Sequence, residues 1–330
     1  MLERTPVKIL VWLGIVLVLL WAMVMLGGAT RLTHSGLSIV EWRPITGIIP
    51  PLNDVDWAIE FDKYKLSPEY LKINHGMAMA NFKFIYMMEY LHRLLGRLIG
   101  IVFFIPFLIF RKHLPIFIQK KCWIIFGLGG LQGVMGWYMV KSGLVDNPNV
   151  SHYRLTAHLG LAFIIIAMMT HIMHSLLYKE KKYVMGIGYL NATIILMCIT
   201  FVYGGFTAGL KAGLIYNTFP LMEGTYFPTD GLFLKPLWIN FVENQATVQW
   251  THRFFATLTF IFSLIFALKN IKSQLVVNFF LVIALQYVLG IATLLKMVPV
   301  GLGTIHQAWA VIVLIFAVYL KGALHDKKTG

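Results

Sequence analysis

Four histidines of this 330-residue chain fall inside long apolar runs: His92, His158, His252 and His306. An ionisable side chain surrounded by lipid is costly and marks a functional site by default. Two of the four stand in a motif that occurs twice, Glu89-x-x-His92-Arg93 in the first half and Gln249-x-x-His252-Arg253 in the second. Residues three apart share a helix face, so Glu89 turns with His92 toward whatever His92 binds. A carboxylate there suits proton transfer or water activation; the alternative is an ion pair with Arg93 one turn further on. The second motif keeps the shape with a neutral amide. That asymmetry makes the first half the reactive one and the second the holder of a fixed redox cofactor.

Two imidazoles per half are too few for zinc, which takes three or four protein ligands. They suit an iron whose equatorial positions come from a porphyrin, since axial histidines on a helical bundle are how haem is held. Met87, Met88, Phe103, Met135, Trp137 and Phe163 offer apolar lining. Gly96, Gly100, Gly129, Gly133 and Gly136 admit a macrocycle or a neighbouring helix. Lipid contact and small-residue helix packing account for the same residues. Arg93, Arg97 and Arg253 match the geometry of haem propionates, with Gln249 beside His252. The other histidines have structural readings. His171 and His174 lie toward the inner end of the fourth apolar run, and His113 and His325 lie in basic segments. His34, His75 and His152 belong to outer loops, where solvation suffices.

The elements that must position these residues follow from composition. The chain is 58% hydrophobic and 13% charged, whereas soluble domains carry about 25% charged residues. Eight stretches reach the roughly 20 apolar residues that a membrane crossing needs: about 8–29, 82–110, 122–140, 153–177, 185–207, 247–268, 275–295 and 304–322. The fold class is an all-α membrane protein of eight transmembrane helices. The first run is too long for a signal-peptide core, and no Arg- and Ser-rich presequence precedes it; a bacterial inner-membrane protein is expected. The net charge of +14 does not mean nucleic-acid binding, because the cations cluster in short loops. Arg4, Lys8, Arg111, Lys112, Lys120, Lys121, Lys179, Lys181, Lys182, Lys269, Lys272, Lys327 and Lys328 share one side, which places both termini in the cytoplasm. The long loops 30–81 and 208–246 then face outward. Rich in Pro, Gly and aromatics, they read as folded over the membrane surface. Cys122 and Cys198 are the only cysteines and make no disulfide framework.

The chain also repeats itself. At an offset of 177 residues, Gly27, Gly28, Thr30, Gly36 and Leu37 recur as Gly204, Gly205, Thr207, Gly213 and Leu214; Gly47 recurs as Gly224 and Pro51 as Pro228. Further on, EYLHR (89–93) resembles QWTHR (249–253), and LQGVMG (131–136) resembles LQYVLG (285–290). Residues 1–180 and 181–330 thus form two four-helix halves in parallel orientation, related by a pseudo-twofold axis along the membrane normal. Their small-residue faces permit homo-oligomers.

With these motifs in place, the sequence resembles the haem A synthase family. GGATRLTHSGLSIVEWRPITGIIPPL (27–52), PEYLKINHGM (68–77), FKFIYMMEYLHRLLGRLIG (82–100), QWTHR and GTIHQAWA (303–310) carry the resemblance, which covers nearly the whole chain. It implies oxidation of the C8 methyl of haem O to a formyl group, through a hydroxymethyl and a hydrated aldehyde, giving haem A for cytochrome c oxidase. It further implies haem b between His252 and His306, the substrate haem O at His92 and His158, and an essential carboxylate at Glu89. A haem O synthase and cytochrome oxidase assembly factors are the implied partners, together with an electron donor the sequence does not identify. Many relatives carry cysteine pairs in the outer loops; this chain lacks them and resembles the branch without. The rival reading from the histidines alone is a di-haem protein passing electrons from a membrane quinol, but a pure conduit has no need of a carboxylate in one half only. A repeat-built transporter would show broken helices and polar midplane residues, which this sequence lacks.

Overall fold

The computed structural model describes residues 6–43, 47–144, 148–177 and 182–326. Arg4, Lys179, Lys181, Lys327, Lys328 and the junction at 180/181 lie outside the described residues. Lipid offers no partner for backbone N–H and C=O groups, so an apolar crossing closes its hydrogen bonds within a helix. Eight described helices are long and apolar enough to cross a membrane. In the first half these are α1 (Val7–Leu32), α4 (Met79–Phe110), α5 (Ile116–Gly143) and α6 (His152–Leu177). Between α1 and α4 lie the surface helices α2 (Asp54–Lys65) and α3 (Pro68–Lys72). The second half supplies α7 (Ile187–Gly209), α9 (Gln245–Lys269), α10 (Gln274–Leu295) and α11 (Val300–Ala323), with one surface turn, α8 (Asn240–Glu243), before α9. Pro6, Pro115 and Pro299 stand at the N-caps of α1, α5 and α11, just before the first turn, where a missing N–H costs nothing.

The packing recurs between halves. α1 packs on α4 and α5 on α6, as α7 packs on α9 and α10 on α11. Across the halves, α1 lies on α11 and α7 on α6, while α6 and α11 meet each other. Ile9, Leu13 and Val16 of α1, Ile166 and Met169 of α6 and Val311 and Leu314 of α11 share one buried cluster. Indole N–H groups in this region bond backbone carbonyls of other helices: Trp12 to Val102, Trp21 to Ala308 and Trp309 to Val282. The repeat extends to backbone conformation. His34 and Lys211, at the same offset of 177, both take left-handed φ, 53° and 56°, where each chain turns off its first membrane helix.

The outer loops are folded. Asn53 caps α2 by accepting from Asp56 N at 2.9 Å, with Asp54 and Asp56 in its first turn and Lys63 and Lys65 in its last, which complements the helix dipole. Phe61, Tyr64, Phe82, Ile85 and Tyr86 form a second buried cluster that seats this loop on α4. At the opposite end of the bundle, β1 (Lys182–Val184) and β2 (Leu324–Asp326) pair in parallel, Lys182 with Leu324 and Val184 with Asp326; the hydropathy pattern gave no sign of them.

Candidate functional site

Each of the four histidines lies in the part of its helix nearest the outer loops, is half-buried, and has its ring edge on a glycine of the preceding membrane helix. A Cβ on Gly27 of α1 would stand 3.0 Å from His92 Cε1, and one on Gly136 of α5 would stand 3.4 Å from His158 Cε1. In the second half, Gly204 of α7 relates to His252 at 3.2 Å and Gly290 of α10 to His306 at 3.0 Å. The neighbouring glycines face the other half. Gly28 meets the Gln307 side chain of α11, and Gly205 meets Thr156 of α6. Each Gly-Gly pair therefore admits one histidine of its own half and one helix of the other.

The buried Nδ1 atoms of His92, His158 and His306 have no hydrogen-bond partner among the described residues, whereas His252 Nδ1 lies 3.1 Å from the Thr200 carbonyl oxygen. A second repeated contact secures the fourth helix of each half. Gln132 Nε2 donates to the His158 carbonyl and Gln286 Nε2 to the His306 carbonyl, each at 3.1 Å. Sequence reasoning passed over these glutamines, although LQGVMG and LQYVLG place Gln and Gly four apart in both halves.

Glu89 is 2% exposed and its carboxylate is fully engaged. Oε2 accepts from Ser38 Oγ at 2.8 Å and Ile39 N at 2.9 Å; Oε1 accepts from Arg93 Nη2 at 2.6 Å and Nε at 3.1 Å. The ion pair with Arg93 is thus formed, and the same carboxylate clasps the first outer loop to α4. Arg93 completes the clasp by donating to the Ile39 and Glu41 carbonyls. In the second half Arg253 donates to the Tyr216 and Thr218 carbonyls at 2.7 and 2.8 Å, and Gln249 Nε2 donates to Tyr216 O at 3.0 Å. Ile39 and Glu41 correspond to Tyr216 and Thr218 at the offset of 177, so one clasp is built twice. Ser38 and the Ile39 N–H escaped sequence reasoning, because a backbone donor leaves no mark in residue identity.

Arg97 donates to the Arg43 carbonyl at 3.0 Å. It borders a cleft of about 400 Å³ between the first loop and α4, which Arg93, Tyr86, Tyr90, Ile39 and Lys63 also line. Of the glycines expected to admit a macrocycle, Gly136 meets His158 and Gly96 meets Met23; Gly100, Gly129 and Gly133 face space with nothing within 4 Å. Phe103 and Phe163 are buried in the helix core, and Trp137 lies against Trp42 of the first loop in a tilted ring contact. His152, expected in a solvated loop, is instead buried in the first turn of α6, against Gly209 and 3.9 Å from Glu243. His34 is exposed; partial burial and the charges of Lys211 and Arg31 hold its pKa down. Cys122 and Cys198 are both free.

Among the described residues no three His, Cys, Asp or Glu side chains gather to hold a metal ion. A pair of imidazoles per half, each backed by a glycine that leaves its ring room, fits a group that brings its own equatorial donors. The donor set and the glycine cradles fit haem.

Fold and site together define a multi-pass helical membrane protein with two glycine-backed histidines in each half and a clasped loop on each. A family model described as cytochrome oxidase assembly protein matches residues 10–318. The chain is 47% identical to a heme A synthase of Nitrosospira multiformis over 96% of its own length and 93% of the relative's. It is 46% identical to one of Paramagnetospirillum magneticum over 96% and 92%, and 41% identical to one of the Wolbachia of Brugia malayi over 97% and 98%. The chain belongs to this family of cytochrome oxidase assembly proteins, the haem A synthases.

Proposed function

We propose that this protein oxidises the C8 methyl of haem O to a formyl group, giving haem A for cytochrome c oxidase. The observation that carries the reading is the two sets of glycine-backed histidines, of which the first has a buried carboxylate, Glu89, one turn before His92 on α4 where the second has Gln249. The near full-length identity to proteins named heme A synthase supports it. In this reading residues 1–180 receive the substrate and residues 181–330 hold haem b, the halves being related by a pseudo-twofold axis.

His92 and His158 would hold the iron of haem O, and His252 and His306 that of haem b. When bound, haem b supplies a redox centre for electrons leaving the substrate. Arg93 and Arg253 hold the outer loops across the two sites and exclude water from them. The buried Arg253 Nε has no partner among the described residues and is the donor left for a propionate; Gln249 orients Arg253. Glu89 keeps Ser38, Ile39 and Arg93 in place and, one turn before His92 on α4, is the carboxylate proposed to accept a proton from the group being oxidised. The protein sits in the bacterial cytoplasmic membrane with both termini inside, handling haem O between its synthase and oxidase assembly factors.

Pigment extraction from purified protein tests the reading. Haem B together with haem O or haem A is the expected result. Haem B alone would overturn it in favour of a di-haem electron conduit.

A further inference from the structure

The two halves differ at one contact to an imidazole. In the first half Gln132 Nε2 stands 3.4 Å from His158 Nε2 as well as 3.1 Å from the His158 carbonyl. In the second half Gln286 Nε2 makes the carbonyl contact, and among the described residues it has no bond to the His306 ring. The first-half ring also has more room, since a Cβ on Gly136 would stay 3.4 Å from His158 where one on Gly290 would come to 3.0 Å from His306. Among the described residues the buried Oε1 atoms of Gln132 and Gln286 both lack partners, so no further bond there fixes either amide.

We propose that Gln132 is a positioning residue that makes His158 the detachable iron ligand of the first-half pair. This rests on the proposed assignment of His92 and His158 to the haem being altered. Nε2 carries the lone pair that binds iron when Nδ1 holds the proton. The Gln132 amide N–H offers that lone pair a second partner, so the Nε2–iron bond can break while the imidazole keeps a hydrogen bond inside an apolar site. No electrons or protons move in this exchange. The iron gains a position open to a small ligand, while His92 keeps its hold. A buried acceptor left bare is costly, and His306, without an amide on its ring, has no such alternative and stays bound.

Carbon monoxide added to the reduced, haem-loaded full-length protein reads the exchange by absorbance. Wild type is expected to bind it at the first-half haem. Gln132→Leu and Gln132→Met are each expected to weaken that binding roughly fivefold, the factor corresponding to one net hydrogen bond, and Gln286→Leu to leave it unchanged. The unaltered band of the second-half haem shows that each variant is folded. The proposal is overturned if wild type binds no carbon monoxide, if the Gln132 variants bind it as well as wild type or better, or if Gln286→Leu weakens it equally. Loss of first-half haem from both Gln132 variants would also overturn it, because the amide would then be needed for holding rather than release. Extracted pigment of the same preparation decides the assignment separately: haem B alone ends the synthase reading, whatever carbon monoxide does.

Discussion

Ile39 donates its backbone N–H to Glu89 Oε2 at 2.9 Å, tying the first outer loop to the helix that carries His92. The carboxylate therefore has a structural duty, separate from the chemical one proposed for it, and Gln249 shows how the two come apart. With a neutral amide in the same place, the second half still holds Tyr216 O at 3.0 Å and keeps its loop closed.

Glu89→Gln is expected to keep both haems and a closed first loop, yet lose conversion of haem O to haem A. Glu89→Ala should also keep haem while leaving Ser38 Oγ, Ile39 N and Arg93 without their acceptor, at about 1–3 kcal/mol for each buried group so stranded. Amide hydrogen exchange over residues 38–41 should rise in Glu89→Ala and stay near wild type in Glu89→Gln. Normal haem A production by either variant would remove the chemical duty and leave the clasp.

The glycine cradles predict half-specific losses. Gly27→Ala brings a Cβ within 3.0 Å of His92, and Gly204→Ala within 3.2 Å of His252. Overpacking of this kind costs about 1–3 kcal/mol. The haem-to-protein ratio should fall for the first-half haem in Gly27→Ala and for the second-half haem in Gly204→Ala. Gly100→Ala, whose Cβ meets nothing within 4 Å, should leave both intact. Equal loss of both haems in Gly27→Ala would refute the pairing.

The fold was largely legible because lipid imposes a simple rule: long apolar runs become helices. Its boundaries failed where polar residues hide a first turn. Gln119, Lys120 and Lys121 conceal the start of α5, which begins at Ile116 after Pro115, because lysine stems lie along an apolar surface while their heads reach water. Gly301 and Gly303 conceal that of α11. The histidines were visible because intramembrane imidazole is rare and theirs recur in pairs. The clasps were not, because they end on main-chain groups: Ile39 N, Ile39 O and Tyr216 O belong to residues whose side chains say nothing about them.

Glu69 in α3 is 3% exposed, with Oε2 unpartnered among the described residues; burial first, and then the charge of Glu89, push its pKa up to about 8 from 4.5. Below pH 4.5 the carboxyl is neutral whether the loop is closed or open, and nothing is lost. Between 4.5 and 8 the open loop releases the proton while the closed loop retains it, so closure weakens steadily as pH rises. Above 8 the loss is complete. Hydrogen exchange across residues 61–77, corrected for intrinsic rate, should show opening increase over that window in wild type and stay flat in Glu69→Gln. A flat wild-type profile would show that Glu69 titrates normally.

Arginine at 93 and 253 is required by the shape of what it holds. Its planar fork spans two carbonyls two residues apart, Ile39 and Glu41 in one half and Tyr216 and Thr218 in the other. A lysine ammonium is a compact point charge and does not reproduce the fork. Arg93→Lys should raise hydrogen exchange at 39–41 and leave 216–218 protected, and Arg253→Lys should do the reverse. If the proposed assignment of the two haems holds, the first variant should let haem O escape faster and the second haem b. Simultaneous opening of both loops by one substitution would mean that the clasps act as a single latch across the halves, with the contacts of α1 on α11 and α7 on α6 carrying the coupling.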